Sequence, residues 1–282
     1  MTVKTNFNVY SKKAQQVLAK NMSGLGKMTQ QLASGTKINQ AQDDPVIFSI
    51  SKNLEMQLNA TSTVINNLEY SKDFIAVAET GMTIVNEHLE RIRALCLQGS
   101  TNIFNSTQKQ AIVNEINERL DEINRLSAAT IFDDISLLDG SCSNMKLQIG
   151  SRSNISDNTL DIGSALIDIR TNALGLDYEP FEHGNLITCE EFRDYLNIID
   201  TATEEINSNL SKIGAYINSL DTKTDLLTQL VTAKSSYKST MMDTDVASAA
   251  SELTKYQILE NMNVAVLQQA NQLPSIALQL LG

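Results

Sequence analysis

The side chains that could do chemistry are few in this chain, and they are scattered. Only two histidines occur, His88 and His183. His183 stands near Glu182, Cys189 and Glu190, a group that offers nitrogen, sulfur and oxygen ligands to a metal ion. A closed zinc site needs four ligands, mostly histidine and cysteine, and this segment supplies one of each. We therefore expect no metal site.

Two acidic pairs resemble catalytic carboxylates but have simpler explanations. Asp43 and Asp44 precede Pro45, and acidic residues followed by proline are typical of the start of a helix. Asp133 and Asp134 are predicted to form a turn. The sequence also lacks a Gly-x-Ser-x-Gly motif, a glycine-rich nucleotide motif and His-Glu-x-x-His. It therefore predicts neither an enzyme nor a bound cofactor.

The other candidate groups are three cysteines and the remaining histidine. Cys96, Cys142 and Cys189 are odd in number and widely spaced, so they predict neither a disulfide framework nor a Cys-x-x-Cys metal pair. We expect three partly buried thiols. His88 lies among glutamates, and we expect it on the solvated face of a helix.

Composition excludes several classes of partner. The 282 residues carry a net charge of −11, which argues against nucleic acid because phosphates need a basic surface. Three prolines, twelve glycines and no tryptophan favour long helices over many short strands. The longest uncharged stretch, 261–282, contains too many amide side chains for a bilayer core. The first thirty residues lack the apolar run of a secretory signal. We expect no membrane partner.

Heptad periodicity is the dominant pattern in the chain. Stepping alternately by four and three residues from Ile50 to Cys96 meets an apolar residue at eleven of fourteen positions. A second seam runs from Phe192 to Val231, and a shorter helix is predicted over 107–127. Each seam is one narrow apolar stripe that needs a partner along its length. The pattern therefore predicts long antiparallel helices packed side by side.

The two ends of the chain differ from its acidic centre. Residues 1–42 carry six lysines and no acidic side chain, and residues 261–282 carry no charge. Apolar residues recur at helical spacing in both terminal segments, namely Leu18, Leu25, Leu32, Leu259, Met262, Val266, Leu273, Ile276 and Leu280. We expect the N- and C-terminal helices to pair with each other.

The segment from about 130 to 190 breaks the helical pattern. It is rich in glycine, and apolar residues alternate with polar ones around Leu147 and Leu160, which predicts two short strands. The predicted fold is therefore mainly α. It is a long antiparallel helical coiled-coil bundle with a small β-hairpin region and paired N- and C-terminal helices.

Several blocks of the sequence resemble the bacterial flagellins. They are LASGTKINQAQDD at 32–44, ERIRALCLQ at 90–98, FDDISLLDG at 132–140, KIGAYINSL at 212–220, and the last forty residues with their ANQLP segment. The resemblance covers nearly the whole chain except 1–10 and 177–200. Asp43-Asp44-Pro45-Val46 is instead similar to the hook-filament junction protein, which stays an alternative, while the last forty residues favour flagellin.

The resemblance implies a structural subunit that self-polymerises into the flagellar filament used for motility. It implies export through the flagellar type III channel without a cleaved signal peptide, and an extracellular location. The implied partners are other copies of the chain, hook-associated and cap proteins, and an export chaperone. Residues 1–44 and 236–282 would form the coiled-coil inner core of the filament. Residues 45–235 would form the helical rod of the outer core, with the β insertion at about 130–190.

Two sets of site residues follow from the same resemblance. The terminal apolar stripe becomes a polymerisation seam. Recognition of the family by an animal Toll-like receptor implies contacts at Arg91, Leu95 and Glu115. Arg91 and Leu95 are four residues apart and share one helix face. Because neither lies on the heptad seam, we expect both to be exposed.

Overall fold

The computed structural model describes residues 8–150, 158–177 and 188–281, with side chains described as far as Leu273. The helices in this part of the chain are α1 (Val9–Ser34), α2 (Pro45–Gly99), α3 (Ser106–Ala129), α4 (Cys189–Met242) and α5 (Val246–Leu281). Two antiparallel hairpins join strands β1 (Ile131–Phe132) to β2 (Ile135–Ser136), and β3 (Lys146–Gln148) to β4 (Thr159–Asp161). The mainly α fold with a small β region is confirmed.

The start of α2 explains the first acidic pair. Asp44 Oδ1 accepts hydrogen bonds from the backbone N–H groups of Val46 and Ile47, at 3.0 and 2.9 Å. These groups have no partner inside the helix, so a carboxylate before the first turn satisfies them. Pro45 is the first helical residue, a position where its missing N–H costs nothing. Asp44 is therefore a helix cap.

Contacts divide the chain into two compact units. The terminal unit contains the residues up to Leu58 and those from Thr232 onward. The central unit contains Asn59–Val231. Within the central unit, Lys72 forms an ion pair with Asp221, and Arg93 Nε lies 2.6 Å from Asp200 Oδ1. Residue numbers rise on α2 as they fall on α4, so the two helices run antiparallel here.

The core of the central unit is built from the predicted heptad seams. Twelve of the fourteen seam positions from Ile50 to Cys96 are buried, including all eleven that lie in the central unit; Ile50 and Gln57 are exposed. On α4 the seam alternates between fully buried and half-buried residues as far as Leu220, and its last three positions are half-buried. The fully buried members of that seam are Phe192, Ile199, Ile206, Ile213 and Leu220. The periodic stripes therefore face one another, as the bundle prediction requires.

The irregular region after α3 contributes to this core. Its buried apolar side chains include Leu137, Leu138, Ile162, Leu166, Ile169 and Leu176. The Tyr195 hydroxyl donates to the Leu176 carbonyl at 2.8 Å, and the Ser127 hydroxyl donates to the Leu138 carbonyl at 2.7 Å. These buried hydrogen bonds fix the segment against α3 and α4. What the sequence presents as an insertion is an integral part of the central unit.

The β1–β2 hairpin contains the second acidic pair, and the predicted turn is confirmed. Phe132 pairs with Ile135, so Asp133 and Asp134 form a two-residue loop. Both have positive φ, 48° and 63°, which is the backbone of a type I′ turn. Side chains with a Cβ tolerate this region poorly, and glycine tolerates it best.

We expect Asp134→Gly to stabilise the central unit by about 0.5–1 kcal/mol, because glycine adopts this backbone without a steric penalty. Thermal unfolding of the two proteins measures the effect. Asp121→Gly is the matched control, since it makes the same change within α3 and should destabilise by about 1 kcal/mol. An Asp134→Gly protein that melts lower than the parent would contradict the turn assignment.

Candidate assembly surface on the terminal helices

Hydrogen bonds join the chain segments at both ends of the antiparallel α1–α5 pair. At one end, the Lys37 N–H donates to the Met242 carbonyl and the Thr244 N–H donates to the Gly35 carbonyl, at 2.7 and 2.9 Å. At the other end, Asn8 Nδ2 donates to the Ala270 carbonyl at 2.7 Å. The two termini of the chain are therefore paired along α1, as predicted.

Two glycines set the geometry of this pair. Gly35 ends α1 with φ 72°, and its N–H donates to the Gln31 carbonyl at 2.9 Å; a left-handed residue of this kind is the usual helix terminator. Gly24 lies against the ring of Tyr256, where an added Cβ would come within 2.6 Å of ring carbons. The missing side chain lets α1 and α5 approach closely at mid-length.

The predicted polymerisation seam is partly buried between α1 and α5 and partly exposed to solvent. Its half-buried members are Leu18, Leu25, Leu32 and Leu259. Met262, Val266 and Leu273 remain 58%, 51% and 48% exposed. Ile276 and Leu280 lie beyond the described side chains. The α5 end of the stripe is thus an apolar surface that pairing with α1 leaves open.

Further apolar side chains extend this surface on both helices. The exposed ones are Val9, Tyr10, Val17 and Met22 on α1, with Ile258 and Val264 on α5. A groove of about 370 Å³ runs between the helices and is lined mainly by apolar atoms of Tyr10, Ala14, Val17, Val266, Ala270 and Leu273. Contiguous exposed apolar patches of this kind mark interaction surfaces. The terminal pair therefore presents a site for another protein surface rather than for a small polar ligand.

One ion pair connects α1 to the segment that leads into α2. Lys27 Nζ lies 2.9 Å from Asp43 Oδ1, and Asp43 Oδ2 accepts from the backbone N–H of Asn39 and Gln40. The Lys27 hydrogen bond, helped by these two N–H groups, lowers the pKa of Asp43 below its usual value. Asp43, like its neighbour Asp44, therefore has a structural role.

This ion pair makes the terminal unit sensitive to acid. Because the folded-state pKa of Asp43 is lowered, its contribution is present above the unfolded value near 4 and is lost as pH falls through the folded value. We expect Asp43→Asn to lower stability at neutral pH by about 1 kcal/mol or less, with the difference vanishing in acid. Unfolding followed by helix signal from pH 7 to 2 measures this. Glu252→Gln, which removes a half-exposed carboxylate that pairs with Lys255 on the same helix, should show a smaller difference.

A second candidate surface lies on α2 and α3 of the central unit. Arg91 Nη2 and Nε donate to Glu115 Oε1 at 2.9 and 3.1 Å, and Arg119 approaches the same oxygen at 3.3 Å. The hydrogen bond from Arg91, followed by that from Arg119, lowers the pKa of Glu115. The structure thus brings Arg91 and Glu115 together, beside a groove of about 350 Å³ that Leu95 also lines.

The expected exposure of Leu95 is wrong, since only 2% of its surface is exposed. It lies on a second stripe of α2, at heptad spacing from Phe74 and Gly81, which are also buried. His88 belongs to the same stripe and is half-buried, although we expected it to be solvated. α2 therefore buries two faces, and the sequence indicates the second one through this 74–81–88–95 spacing.

The described residues contain neither a membrane-spanning helix nor a group of metal ligands. No described helix has the length and apolar character needed to cross a bilayer. No three histidine, cysteine or acidic side chains within the described ranges are grouped to hold a metal ion. Two of the possible metal ligands considered from the sequence, His183 and Glu182, lie outside these ranges.

Family profiles and known proteins of one family match nearly the whole chain. The family profile of the bacterial flagellin N-terminal helical region matches residues 5–143, and that of the C-terminal helical region matches residues 196–281. The flagellin of Bacillus subtilis (strain 168) is 30% identical over 303 residues, covering 99% of this chain and 100% of that protein. The flagellin of Listeria innocua serovar 6a is 25% identical over 292 residues, covering 99% and 100%.

The fold also has a counterpart among solved structures. A structure attributed to a flagellar hook-associated protein from Vibrio parahaemolyticus superposes with a TM-score of 0.56 at 18% identity. The match covers 71% of this chain and 99% of the other. At this identity the likeness concerns the fold alone.

Proposed function

The chain belongs to the bacterial flagellin family, and from that premise we propose that the apolar surface left open on α1 and α5 is where its copies bind one another. Flagellins are structural proteins, and the chain is a subunit of the bacterial flagellar filament used for motility. The observation that carries the proposal is the exposure of Met262, Val266 and Leu273 on a helix that already has a partner.

Burial of this surface supplies a driving force for polymerisation. Removing the remaining exposed surface of a half-exposed Val, Leu or Met contributes about 1 kcal/mol per side chain. The contact is heterologous, because a stripe on one copy meets a different surface on the next, and contacts of this type build open helical polymers. The uncharged end of α5 lets neighbours approach without desolvating charge.

The parts of the chain have separate roles in this proposal. Residues 1–44 and 236–282 form the inner coiled-coil layer, and residues 45–235 form the surrounding rod. The subunit is exported through the flagellar type III channel without a cleaved signal, and an export chaperone accompanies it. Hook-associated and cap proteins bind the ends of the polymer. The family resemblance supports each of these roles.

Removal of residues 261–282 tests the proposal. Full-length protein seeded with filament fragments should form polymers long enough to see by electron microscopy, and the truncated protein should stay monomeric. Circular dichroism should show that the truncated protein keeps its central helices. Normal filaments from the truncated protein would disprove the role of the terminal surface. If the full-length protein forms only short rings or caps on filament ends, the hook-filament junction function is correct instead.

The ion-paired surface on α2 and α3 supports a second proposal. Arg91 and Glu115 are about half and about two-fifths exposed at their side chains and lie beside a groove. Arginine is enriched among binding hot spots, and Arg91 is both exposed and held in place by its ion pair. We propose that an animal Toll-like receptor contacts these two side chains. The buried Leu95 side chain stabilises the part of α2 that carries Arg91.

A reporter-cell assay separates this proposal from general damage to the fold. Arg91→Ala should reduce signalling by about tenfold or more, as expected for one hot-spot arginine. Arg125→Ala is the matched control because Arg125 also pairs with a glutamate, Glu122, on α3. Equal loss in both variants, or no loss in either, would remove Arg91 from the receptor contact.

A further inference from the structure

A group of polar side chains surrounds the sulfur of Cys189 in the central unit. Lys109 Nζ donates to Cys189 Sγ at 3.0 Å. Cys189 Sγ in turn donates to Asn102 Oδ1 at 2.8 Å. The three residues come from the start of α4, from α3 and from the loop before α3. Tertiary packing therefore brings an ammonium, a thiol and an amide together.

The burial of Lys109 is the unusual feature of this group. Only 9% of its surface is exposed, and lysine is seldom buried unless a negative charge accompanies it. Within the described ranges, no carboxylate forms an ion pair with its ammonium. The described partner is a thiol sulfur, a weak acceptor when neutral. The ammonium is compensated far better when that sulfur carries a negative charge.

The other two cysteines lie in different surroundings. Cys96 is fully buried, and its burial raises the pKa of the thiol to about 12. Cys142 is buried as well, and its sulfur donates to the Ser136 carbonyl at 3.1 Å. Cys189 is half-buried. Among the three thiols, Cys189 alone combines solvent access with a neighbouring ammonium.

We propose that Cys189 is an oxidation site that hydrogen peroxide converts to a sulfenic acid, and that Lys109 is its positioning residue. A reactive thiol needs solvent access and a nearby cation that can stabilise the thiolate as it forms, and this group supplies both. The proposal is independent of polymerisation through the terminal helices.

The reaction balances with hydrogen peroxide as the oxidant. The Cys189 thiol first gives its proton to water, and Lys109 stabilises the resulting thiolate. The sulfur attacks one peroxide oxygen, so an S–O bond forms and the O–O bond breaks. The leaving hydroxide takes up a proton to become water, and the sulfur is left as a sulfenic acid, two electrons more oxidised. Asn102 Oδ1, which accepts from the thiol, can then accept from the sulfenic O–H.

The experiment measures which cysteine of the folded full-length protein is oxidised. The protein is treated with dilute peroxide, trapped with a dimedone-type reagent that labels sulfenic acid, and digested for mass spectrometry. We expect Cys189 to be labelled at least about tenfold faster than Cys96 or Cys142, since burial protects those two thiols. Equal labelling of all three, or labelling of Cys189 slower than the others, would overturn the proposal.

Two lysine variants test the role of the ammonium. Lys109→Met should slow labelling of Cys189 by about tenfold, the factor expected for one charge-assisted contact, while Lys109→Arg should keep most of the rate. Lys146→Met is the control, because Lys146 is an exposed lysine of β3. A loosened fold would expose Cys189 and speed its labelling, so a rate that rises or stays unchanged in Lys109→Met overturns the role of Lys109.

Discussion

Leu89→Asp should strongly destabilise the central unit. Leu89 lies on the α2 seam and has no exposed surface. The substitution removes a packed side chain and leaves an unpaired carboxylate in its place. An unpaired buried charge costs about 3–5 kcal/mol, and a whole domain is stable by only about 5–15 kcal/mol. Circular dichroism should therefore show lost helicity or a much lower melting temperature.

A control on the same helix makes this prediction specific. Leu97 is also a leucine of α2, but 47% of its surface is exposed. Leu97→Asp should change stability by about 0.5 kcal/mol or less. The Leu89→Asp protein should also recover stability relative to the parent in acid, because protonation removes the buried charge. Similar melting of the two variants would mean that the seam does not form the core.

The heptad seam was predictable because a single physical requirement determines it. A helix can bury a stripe along its whole length only if apolar residues recur every three or four positions. The Ile50–Cys96 pattern therefore indicates burial directly, and the structure buries all but Ile50 and Gln57 of its positions. Helix caps such as Asp44 were predictable for a similar reason, because the first N–H groups of a helix always need an acceptor.

The number of partners around α2 was not predictable from one seam. A heptad stripe shows that a helix has a neighbour, but a second neighbour adds a second, shorter stripe that is easily taken for solvated surface. Leu95 and His88 belong to that second stripe on α2. Its other members, Phe74 and Gly81, are not aliphatic. The second stripe therefore does not stand out in the sequence as a series of aliphatic residues.

The irregular region and the thiol group depended on long-range contacts. Leu138 and Ile169 are buried, although no helical or strand period marks them. The approach of Lys109 to Cys189 joins residues 80 positions apart, and no local pattern encodes it. The sequence also does not indicate which residues of the terminal apolar stripe remain exposed. Their exposure depends on how α1 packs against α5.

That division leads to the prediction with the most direct bearing on assembly. Val266→Asp should leave the monomer intact and prevent polymerisation. Val266 is 51% exposed in the isolated chain, and an exposed substitution of this kind changes stability by about 0.5 kcal/mol or less. If Val266 is covered by a neighbouring copy, the carboxylate must lose its water without a partner. At a cost of about 3 kcal/mol or more per contact, the protein concentration needed for polymerisation rises more than about 100-fold.

Sedimentation of seeded protein over a range of concentrations measures that threshold, and melting of the monomer shows whether the fold survives. Gln257→Asp is the matched control, since it adds the same charge to an exposed position of α5, near Glu252 and Lys255, where the helix already carries charge. It should polymerise at close to the parent concentration. A Val266→Asp protein that polymerises equally well would show that this side chain stays in water in the filament. The apolar surface on α5 would then need a different partner.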